Sequence, residues 1–341
     1  MRRTTIPGLV LLAFCIACRL FAPVAEFYAL NLYPLISRVL SFIGSFLPFS
    51  LVEIVVICFA AAFVWILVRA LRKKEGFWRW LGRAAMLIVW LYVWFYMGWG
   101  NNYNRTGLYQ RCGIQMVSYE HEVFRHFLLD YTDALNRAAG TAGAYDREEL
   151  ETEIKTFYSE RVSSFGYTRL RPWQHPKKPI LNSLYSAVTV RGFMGPFFCE
   201  AQLNLSVPEN EYPYTLAHEL GHLAGVTSEA EANYWAFVFC RDSGNDAVRY
   251  SGFLSILPYV LLNARNLLPE DEFNAWADTV CEKAKNDFNA SRQYWKGKKI
   301  PWIESIQRKI YGVFLRSNGI SEGLKDYSGV VEMIITMDTA S

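Results

Sequence analysis

The sequence predicts a mostly α-helical protein with a small β-sheet, in which three N-terminal transmembrane helices are followed by an extracytoplasmic α+β domain. Apolar residues make up 52% of the 341-residue chain and are concentrated in its first hundred positions. The remainder combines amphipathic helical patterns with one short stretch of β-forming residues, and basic residues are distributed unevenly between the apolar runs. An apolar part followed by a more polar part indicates a membrane anchor joined to a second, water-exposed domain.

The first 99 residues are predicted to form the membrane anchor. Its transmembrane helices are expected at about residues 6–25, 51–70 and 84–99, where the chain is predominantly apolar. Because no small-residue cleavage site ends the first run and two further spans follow, we interpret it as a retained helix rather than a signal peptide. Residues 26–50 are predicted to be an amphipathic outer loop that packs on the membrane surface or on the second domain. Membrane lipid is therefore an expected partner.

Lysine and arginine residues predict the orientation of the anchor. Six of them, from Arg69 to Arg83, lie at the end of the second predicted span or between it and the third, whereas only Arg38 lies between the first and second. Arg2 and Arg3 precede the first span. Because basic residues accumulate on the cytoplasmic side of a membrane, the N-terminus is predicted to be cytoplasmic and residues 100–341 to be extracytoplasmic.

Composition argues against nucleic acid as a partner. The net charge is only +3, and no basic run is interleaved with aromatic residues. The seven cysteines do not have the paired spacing of a zinc finger. The chemistry of the protein is therefore expected to depend on other residues.

The clearest candidate site is predicted on a helix that begins near Pro213. His218, Glu219 and His222 have the spacing H-E-x-x-H, which places both imidazoles on one helical face with the carboxylate beside them. The neighbouring residues are apolar, so the helix is expected to be buried, where two histidines without a partner would be costly. Two imidazoles directed at one point suit Zn²⁺, and a carboxylate next to them can accept a proton from a water that the metal activates. The motif therefore predicts hydrolysis of an amide bond.

A catalytic zinc site also needs a third protein ligand and one open position. In the metzincin pattern the third ligand would be a histidine at position 228, but that residue is Ser228. Ser228 instead fits the N-cap of a following helix, with Glu231 three residues later as the other half of a capping box. This leaves Glu229 as the favoured third ligand and Glu231 as the alternative if the helix begins one or two residues away. Asn233 follows one turn after Glu229 and is expected to orient a ligand.

These assignments predict a membrane-anchored, zinc-dependent peptidase that acts on a peptide or protein substrate. Glu219 is the predicted general base, which takes the proton of the attacking water and returns it to the leaving amine. The alternative is a membrane sensor or assembly factor whose zinc is structural and non-hydrolytic. A closed structural site has no use for a base next to its ligands, and this favours the peptidase.

The chain resembles the bacterial membrane proteins of the DUF3810 family. The matching segments, in order along the chain, are Tyr33–Ser37, Pro48–Ser50, Trp99–Arg105, Pro196–Ala201 with Asn204, His218–Gly225, Glu229–Ala236 and Arg249–Gly252. The resemblance implies a gluzincin-like zinc metallopeptidase, HExxH followed by ExxxN, with a zincin-like domain at residues 100–341 and a location in the bacterial cell membrane. Cys199 departs from the family pattern, in which a hydroxyl residue is expected.

The resemblance to zinc peptidases implies two further parts of an active site. In such enzymes an edge strand that precedes the metal helix pairs with an extended substrate. The expected strand consists of Phe197, Phe198, Cys199, Glu200, Ala201, Gln202, Leu203, Asn204 and Leu205. Tyr250 is the expected hydrogen-bond donor to the oxyanion of the transition state.

Overall fold

The structure, a computed structural model, describes residues 2–72, 76–117, 121–141, 143–319 and 329–340. Over these residues the protein is mostly helical and contains one two-stranded antiparallel sheet. This agrees with the predicted mostly α-helical class with a small β-sheet. Lys73 and Lys74, which contributed to the predicted orientation, lie outside the described residues.

Three helical segments of the first hundred residues are long and apolar enough to cross a membrane. They are Ala22–Ser45, Val52–Arg72 (α4) and Phe77–Gly98 (α5). The predicted spans at 51–70 and 84–99 coincide with α4 and with most of α5. The first predicted span does not coincide with the first of these segments.

The bounds of the predicted span at 6–25 differ from those of the first helix, and most of the predicted outer loop at 26–50 is helical. Helix α1, Arg2–Leu20, ends before Phe21, whose backbone is extended (φ −131°, ψ 102°). The chain then continues as one helical run through α2, a π-helical turn and α3, which are Ala22–Phe27, Tyr28–Leu32 and Tyr33–Ser45. Pro34, which favours a loop in the sequence, lies in the first turn of α3, where a residue without an N–H is tolerated.

Helices α1 and α5 pack side by side and run in the same direction. A β-carbon on Gly8 of α1 would lie 3.3 Å from the Trp90 ring of α5. Later in both segments, the Asn101 side-chain amide approaches Cys15 Sγ at 3.8 Å. Later residues of α1 contact later residues of α5 and the segment after it, so the two helices are parallel. Their C-terminal ends therefore lie side by side.

Helix α4 packs against α5 in the opposite direction. Val52, Val55 and Phe59 from the first turns of α4 share a cluster with Trp94 and Phe95 from the last turns of α5. The beginning of α4 therefore lies at the level at which α1 and α5 end.

The second half of the chain is a helical assembly around α10, α11 and α12, which pack against one another. Two short 3₁₀ segments, Gly100–Asn104 and Val162–Phe165, connect helices on its periphery. Its α-helices are α6 Leu108–Cys112, α7 His121–Gly140, α8 Arg147–Glu160, α9 Asn182–Ala187, α10 Tyr212–Leu223, α11 Glu229–Arg241, α12 Asp246–Leu267, α13 Glu270–Thr279, α14 Glu282–Lys298, α15 Pro301–Ser317 and α16 Val330–Ala340.

One hydrophobic core joins this assembly to the helical run at 22–45. Trp235 of α11 and Tyr158 of α8 are fully buried in the same cluster as Tyr28 and Tyr33. The Tyr33 hydroxyl donates a hydrogen bond of 2.7 Å to the carbonyl of Leu223, the last residue of α10. The run at 22–45 is therefore part of the scaffold that holds α10.

The sheet consists of β1, Gly192–Gly195, and β2, Glu200–Leu203, paired so that Gly192 lies opposite Leu203. The other side of β2 is also occupied, because Lys177 N–H donates to the Ala201 carbonyl (2.7 Å) and Leu203 N–H donates to the Lys177 carbonyl (3.0 Å). The predicted edge strand at residues 197–205 is therefore wrong, since its regular part pairs on both sides. On its outer side, β1 has no backbone hydrogen-bond partner within the described ranges, so β1 is the edge strand.

Candidate metal centre

Helix α10 carries the H-E-x-x-H residues and has the features that the sequence predicts. Pro213 lies in its first turn, and the helix ends just before Gly225, whose φ of +100° is unfavourable for residues other than glycine. The His222 Nδ1–H donates to the Val226 carbonyl at 2.8 Å. This bond orients the ring and, in the neutral imidazole, leaves the lone pair of Nε2 available for a metal.

Helix α11 brings the third candidate ligand to the imidazoles. Its N-cap is Ser228, whose side chain accepts a hydrogen bond from the Glu231 N–H at 3.3 Å. Glu229 is the first residue of the helix. Because the turn between α10 and α11 is short, the first residue of α11 lies next to the last turn of α10.

The donor atoms of His218, His222 and Glu229 form a compact triangle. The two Nε2 atoms are 3.0 Å apart, and Glu229 Oε2 lies 3.2 Å from His218 Nε2 and 3.5 Å from His222 Nε2. Ligands held at about 2.0–2.1 Å in a tetrahedral site are about 3.3 Å from one another. The triangle therefore fits a single divalent metal ion.

Burial and charge act differently on the two imidazoles. Burial lowers the pKa of His218. Burial also opposes the charged form of His222, but the Glu229 carboxylate outweighs it and raises the pKa of His222 to about 9. The pKa of Glu229 is held well below its usual range, because the imidazoles of His222 and His218 overcome the cost of burial. Glu229 is consequently an anion directed at both rings, and a carboxyl group must be deprotonated in this way to bind a metal.

Glu219 is a buried carboxylate beside the triangle. It is 5% exposed, and its Oε2 has no hydrogen-bond partner among the residues that the structure describes. Burial raises its pKa to about 8, with His222 lowering it and Glu229 raising it further. A β-carbon on Gly192 would come within 2.4 Å of the Glu219 carboxylate, so the backbone of β1 lies directly against it. The triangle of donor atoms, the Glu219 carboxylate and the outer edge of β1 therefore lie next to one another.

Glu231, the alternative ligand, is directed away from the imidazoles. Its carboxylate accepts hydrogen bonds from the Leu108 N–H at 3.2 Å and from the Tyr167 hydroxyl. At Ser228 the side-chain oxygen accepts from the Glu231 N–H, as the predicted capping box requires, and the Glu231 carboxylate is held by Leu108 and Tyr167 away from the imidazoles. Of the two glutamates, the structure brings Glu229 to the site.

Asn233 lies where the sequence predicts a residue that orients a ligand. Its side chain interacts with His218 and raises the pKa of that imidazole, against the larger effect of burial. Asn233 Oδ1 in turn accepts a hydrogen bond of 2.9 Å from the Tyr214 hydroxyl. Tyr214 and Asn233 thus form a short polar chain behind His218.

Tyr250, the predicted oxyanion donor, is occupied elsewhere. Its hydroxyl donates to Asp287 Oδ2 at 2.6 Å, and the Lys283 ammonium lies 4.1 Å from the centre of its ring. Both partners belong to α14, so the hydroxyl faces that helix. The structure therefore does not bring Tyr250 to the triangle of His218, His222 and Glu229.

Two residues that sequence reasoning missed contact the site directly. The Tyr311 hydroxyl donates to Glu229 Oε1 at 2.6 Å, and the Trp99 indole N–H donates to the His222 carbonyl at 2.7 Å. Trp99 belongs to one of the segments shared with the DUF3810 pattern, so a signal for it existed. Tyr311 lies 82 residues after Glu229 in an ordinary amphipathic helix, and no local pattern distinguishes it.

Comparison with known proteins gives one assignment. Neither the curated proteins nor the solved structures include a match to this chain. One family model, described as a protein of unknown function (DUF3810), matches residues 28–335, which is 308 of the 341 residues. The family resemblance drawn from the sequence is thereby confirmed. The chain belongs to the DUF3810 family.

Proposed function

We propose that this protein is a membrane-anchored, zinc-dependent peptidase that hydrolyses peptide bonds. The observation that carries the proposal is the triangle of His218, His222 and Glu229 with the buried carboxylate of Glu219 beside it. Two imidazoles and one carboxylate are a donor set that suits zinc. Structural zinc sites are usually closed by four protein ligands, so three ligands and an adjacent base support a hydrolytic role.

Within this proposal each residue of the site has one task. His218, His222 and Glu229 would hold the ion, which would supply an activated water and polarise the substrate carbonyl. Glu219 takes a proton from the attacking water and gives it to the leaving amine. A carboxylate whose pKa is raised to about 8 suits a group that must both accept and release a proton near neutral pH.

The free edge of β1 supports a peptide as the substrate. An extended peptide can add to such an edge through main-chain hydrogen bonds, as in other strand-addition complexes. Gly192 brings this edge against the Glu219 carboxylate, so a peptide paired with β1 would pass beside the base. The proposed substrate strand is thus β1, in place of residues 197–205.

The arrangement of helices supports an anchor of three crossings, formed by α4, α5 and α1, whose apolar part Thr5–Leu20 is shorter than the other two. The Tyr28 hydroxyl donates to the Met97 carbonyl at 2.8 Å, near the end of α5, and the run at 22–45 ends just before α4 begins. Both ends of this run therefore lie at the same depth along the axes of α4 and α5, as expected for a helix that lies along a membrane surface. With the N-terminus in the cytoplasm, three crossings would carry the metal centre to the outer face of the cell membrane.

The peptidase proposal can be tested on the purified full-length protein in lipid nanodiscs. We expect about one zinc per chain by elemental analysis and cleavage of a quenched peptide library. Glu219→Gln should retain zinc and lose about 10²–10⁴-fold in hydrolysis, whereas His218→Ala should lose the metal. Glu231→Gln is the matched control, because that carboxylate points away from the triangle, and it should retain zinc and most of the activity.

Two outcomes would contradict the proposal. Equal hydrolysis by wild type and Glu219→Gln would remove the catalytic role of that carboxylate. Tightly bound zinc without cleavage of any library peptide would favour the sensor or assembly-factor alternative.

A further inference from the structure

Helix α15, Pro301–Ser317, exposes a continuous apolar stripe. Trp302, Ile306, Ile310 and Val313 are 68%, 51%, 66% and 61% exposed. Their spacing of four, four and three residues places them on one helical face. A patch of this size on a water-soluble surface would need a partner.

The opposite face of α15 packs on the protein and reaches the metal centre. Gly312 and Leu315 are buried there. From the same side, the Tyr311 hydroxyl donates to Glu229 Oε1 at 2.6 Å, and its ring stacks with Phe314 at a centroid distance of 6.1 Å. Helix α15 therefore presents an apolar stripe outward, while on its inner side Tyr311 is hydrogen-bonded to Glu229, a candidate metal ligand.

The C-terminal end of α15 lies at the ends of two helices of the anchor. The Ser317 carbonyl accepts a hydrogen bond of 2.8 Å from Arg19, near the end of α1. Phe314 packs edge-on against Phe95 of α5, with ring centroids 5.6 Å apart. The Tyr96 hydroxyl of α5 donates to Asn318 Oδ1 at 2.7 Å.

The N-terminal end of α15 lies near the beginning of α4. The Ile300 N–H donates to the Ala187 carbonyl at 2.9 Å, at the end of α9. The N–H groups of Ile180 and Leu181, just before α9, both donate to the carboxylate of Glu53 in the first turn of α4 at 2.9 Å. The beginning of α4 lies beside the ends of α1 and α5. Both ends of α15 therefore lie near the same ends of these three helices, at a similar depth along their common axis.

Charge and length fit a helix at a bilayer surface. Seventeen residues span about 25 Å, and helical geometry places the exposed cations of Lys309 and Arg316 along one side of the stripe. An apolar face flanked by basic residues is the pattern of helices that lie in the interface, with the apolar side chains among acyl chains and the cations at anionic headgroups.

We propose that α15 lies in the outer surface of the lipid bilayer and that this contact holds Tyr311 on Glu229. We assign the bilayer as the partner of the apolar stripe. The reason is that α15 lies beside the ends of α1 and α5 and the beginning of α4, where these helices would leave the membrane. Tyr311 acts as a positioning residue through Glu229. The lipid contact stands independently of the proposed peptidase activity, and its coupling to Glu229 rests on the proposed metal site.

The lipid contact can be tested by photo-cross-linking in nanodiscs that contain anionic phospholipid. A benzophenone amino acid at position 306 or 310 should form lipid adducts detectable by mass spectrometry. The same group in place of Ser305, which is exposed outside the stripe, should form several-fold fewer. Ile57, which is 60% exposed on α4, serves as the positive control for lipid labelling.

The contact would be overturned by either of two results. One is cross-linking of positions 306 and 310 to another protein, including a second copy of this chain. The other is the absence of lipid adducts at both positions while position 57 reacts. This readout needs neither metal nor hydrolysis, so it is separate from the test of the proposed function.

The coupling can be tested by zinc affinity in the same nanodiscs. Tyr311→Phe should weaken zinc binding by about 10–100-fold, as loss of a partner of a ligand does. Ile306→Glu with Ile310→Glu should also weaken it in the presence of Tyr311, and should have no further effect in the Tyr311→Phe background. Ser305→Glu is the matched control and should bind zinc like the wild type.

Additive effects would show that the stripe and Tyr311 act independently, and unchanged affinity in the double glutamate variant would exclude any coupling. Ile306→Ser with Ile310→Ser provides a milder change if the glutamate variant does not fold. The absorption spectrum of the cobalt-loaded protein should shift in Tyr311→Phe, since a residue with only a packing role would leave the metal environment unaltered.

Discussion

His218 and His222 lie one turn apart on α10, yet their surroundings give them different properties. Burial dominates at His218 and lowers its pKa, while at His222 the neighbouring Glu229 carboxylate raises the pKa to about 9. Glu229 remains ionised because both rings stabilise its charge. The metal-free site is thus held together by an ion pair between a protonated imidazole and a carboxylate.

This ion pair predicts how metal affinity depends on pH. Below pH about 9 the metal-free His222 is protonated, and an ion must displace that proton to bind. Affinity should therefore fall as the pH falls below about 9, by up to about tenfold per unit for one proton. Calorimetry in two buffers with different ionisation enthalpies should show release of about one proton or more at pH 7.5.

A matched variant shows which residue releases the proton measured by calorimetry. Glu219→Gln removes the other group whose pKa is raised, to about 8, so the proton still released in this variant belongs to His222. Binding without proton release in both proteins would contradict the ion pair.

Gly192 provides a second prediction at the scale of a residue. A β-carbon at this position would lie within 2.4 Å of the Glu219 carboxylate, so Gly192→Ala must displace the base or the strand. Zinc content should be retained, while kcat should fall by up to about a hundredfold, because misplacement by about 1 Å is enough for such a loss. Gly244→Ala is the control, since nothing lies within 4 Å of a β-carbon there. If the two variants were equally active, the position of β1 against Glu219 would have no role in the proposed hydrolysis.

Among the elements, α11 has the most direct effect on the site, because its first residue is Glu229. The N-cap of Ser228 satisfies the N–H of Glu231 and thereby fixes where the helix begins. The π-helical turn at Tyr28–Leu32 and α3 act from the other side, through the Tyr33 hydroxyl on the Leu223 carbonyl. The geometry of the candidate metal site therefore depends on the end of α10 and the beginning of α11.

Removal of the cap should loosen the beginning of α11. Ser228→Ala is expected to reduce the free energy of unfolding by about 1 kcal/mol and to weaken zinc binding at Glu229. Ser228→Asn should keep both close to wild type, because asparagine is an equally good N-cap. Thermal unfolding followed by circular dichroism and a zinc titration provide the measurements. An asparagine variant as destabilised as the alanine variant would argue against a capping role.

At the scale of the whole molecule, the helices of the proposed anchor meet the helical assembly at one end. The ends of α1 and α5, the beginning of α4 and both ends of α15 lie there, and Trp99, directly after α5, donates to the His222 carbonyl. The residue that directly follows the proposed anchor is thus hydrogen-bonded to α10, the helix that carries His218 and His222. The proposed metal centre is expected to be held close to the membrane rather than on a flexible stalk.

Protease mapping tests the proposed orientation. A protease site inserted after Gly244, in the exposed turn between α11 and α12, should be cut by protease added to intact spheroplasts. A site inserted after Gly76, which precedes α5, should be cut only after the membrane is permeabilised. The reverse pattern would place the metal centre in the cytoplasm.

Much of this protein was predictable because it depends on neighbours in the chain. Helical periodicity of 3.6 residues determines that His218 and His222 share a face, and the capping preference of Ser228 determines the start of α11. Apolar length likewise predicts α4 and α5. These features arise from spacing and from hydrogen bonds within a few residues, which a sequence displays directly.

The tertiary structure decided the features that join distant residues. Pairing of β2 with Lys177 leaves β1 as the free edge, packing of α14 removes Tyr250 from the site, and α15 brings Tyr311 to Glu229 across 82 residues. The amphipathic run at 22–45 folds as a helix because its buried face packs on α10 and its surroundings. Such contacts depend on how the whole chain packs, and the local pattern around each residue is the same whether or not the contact forms.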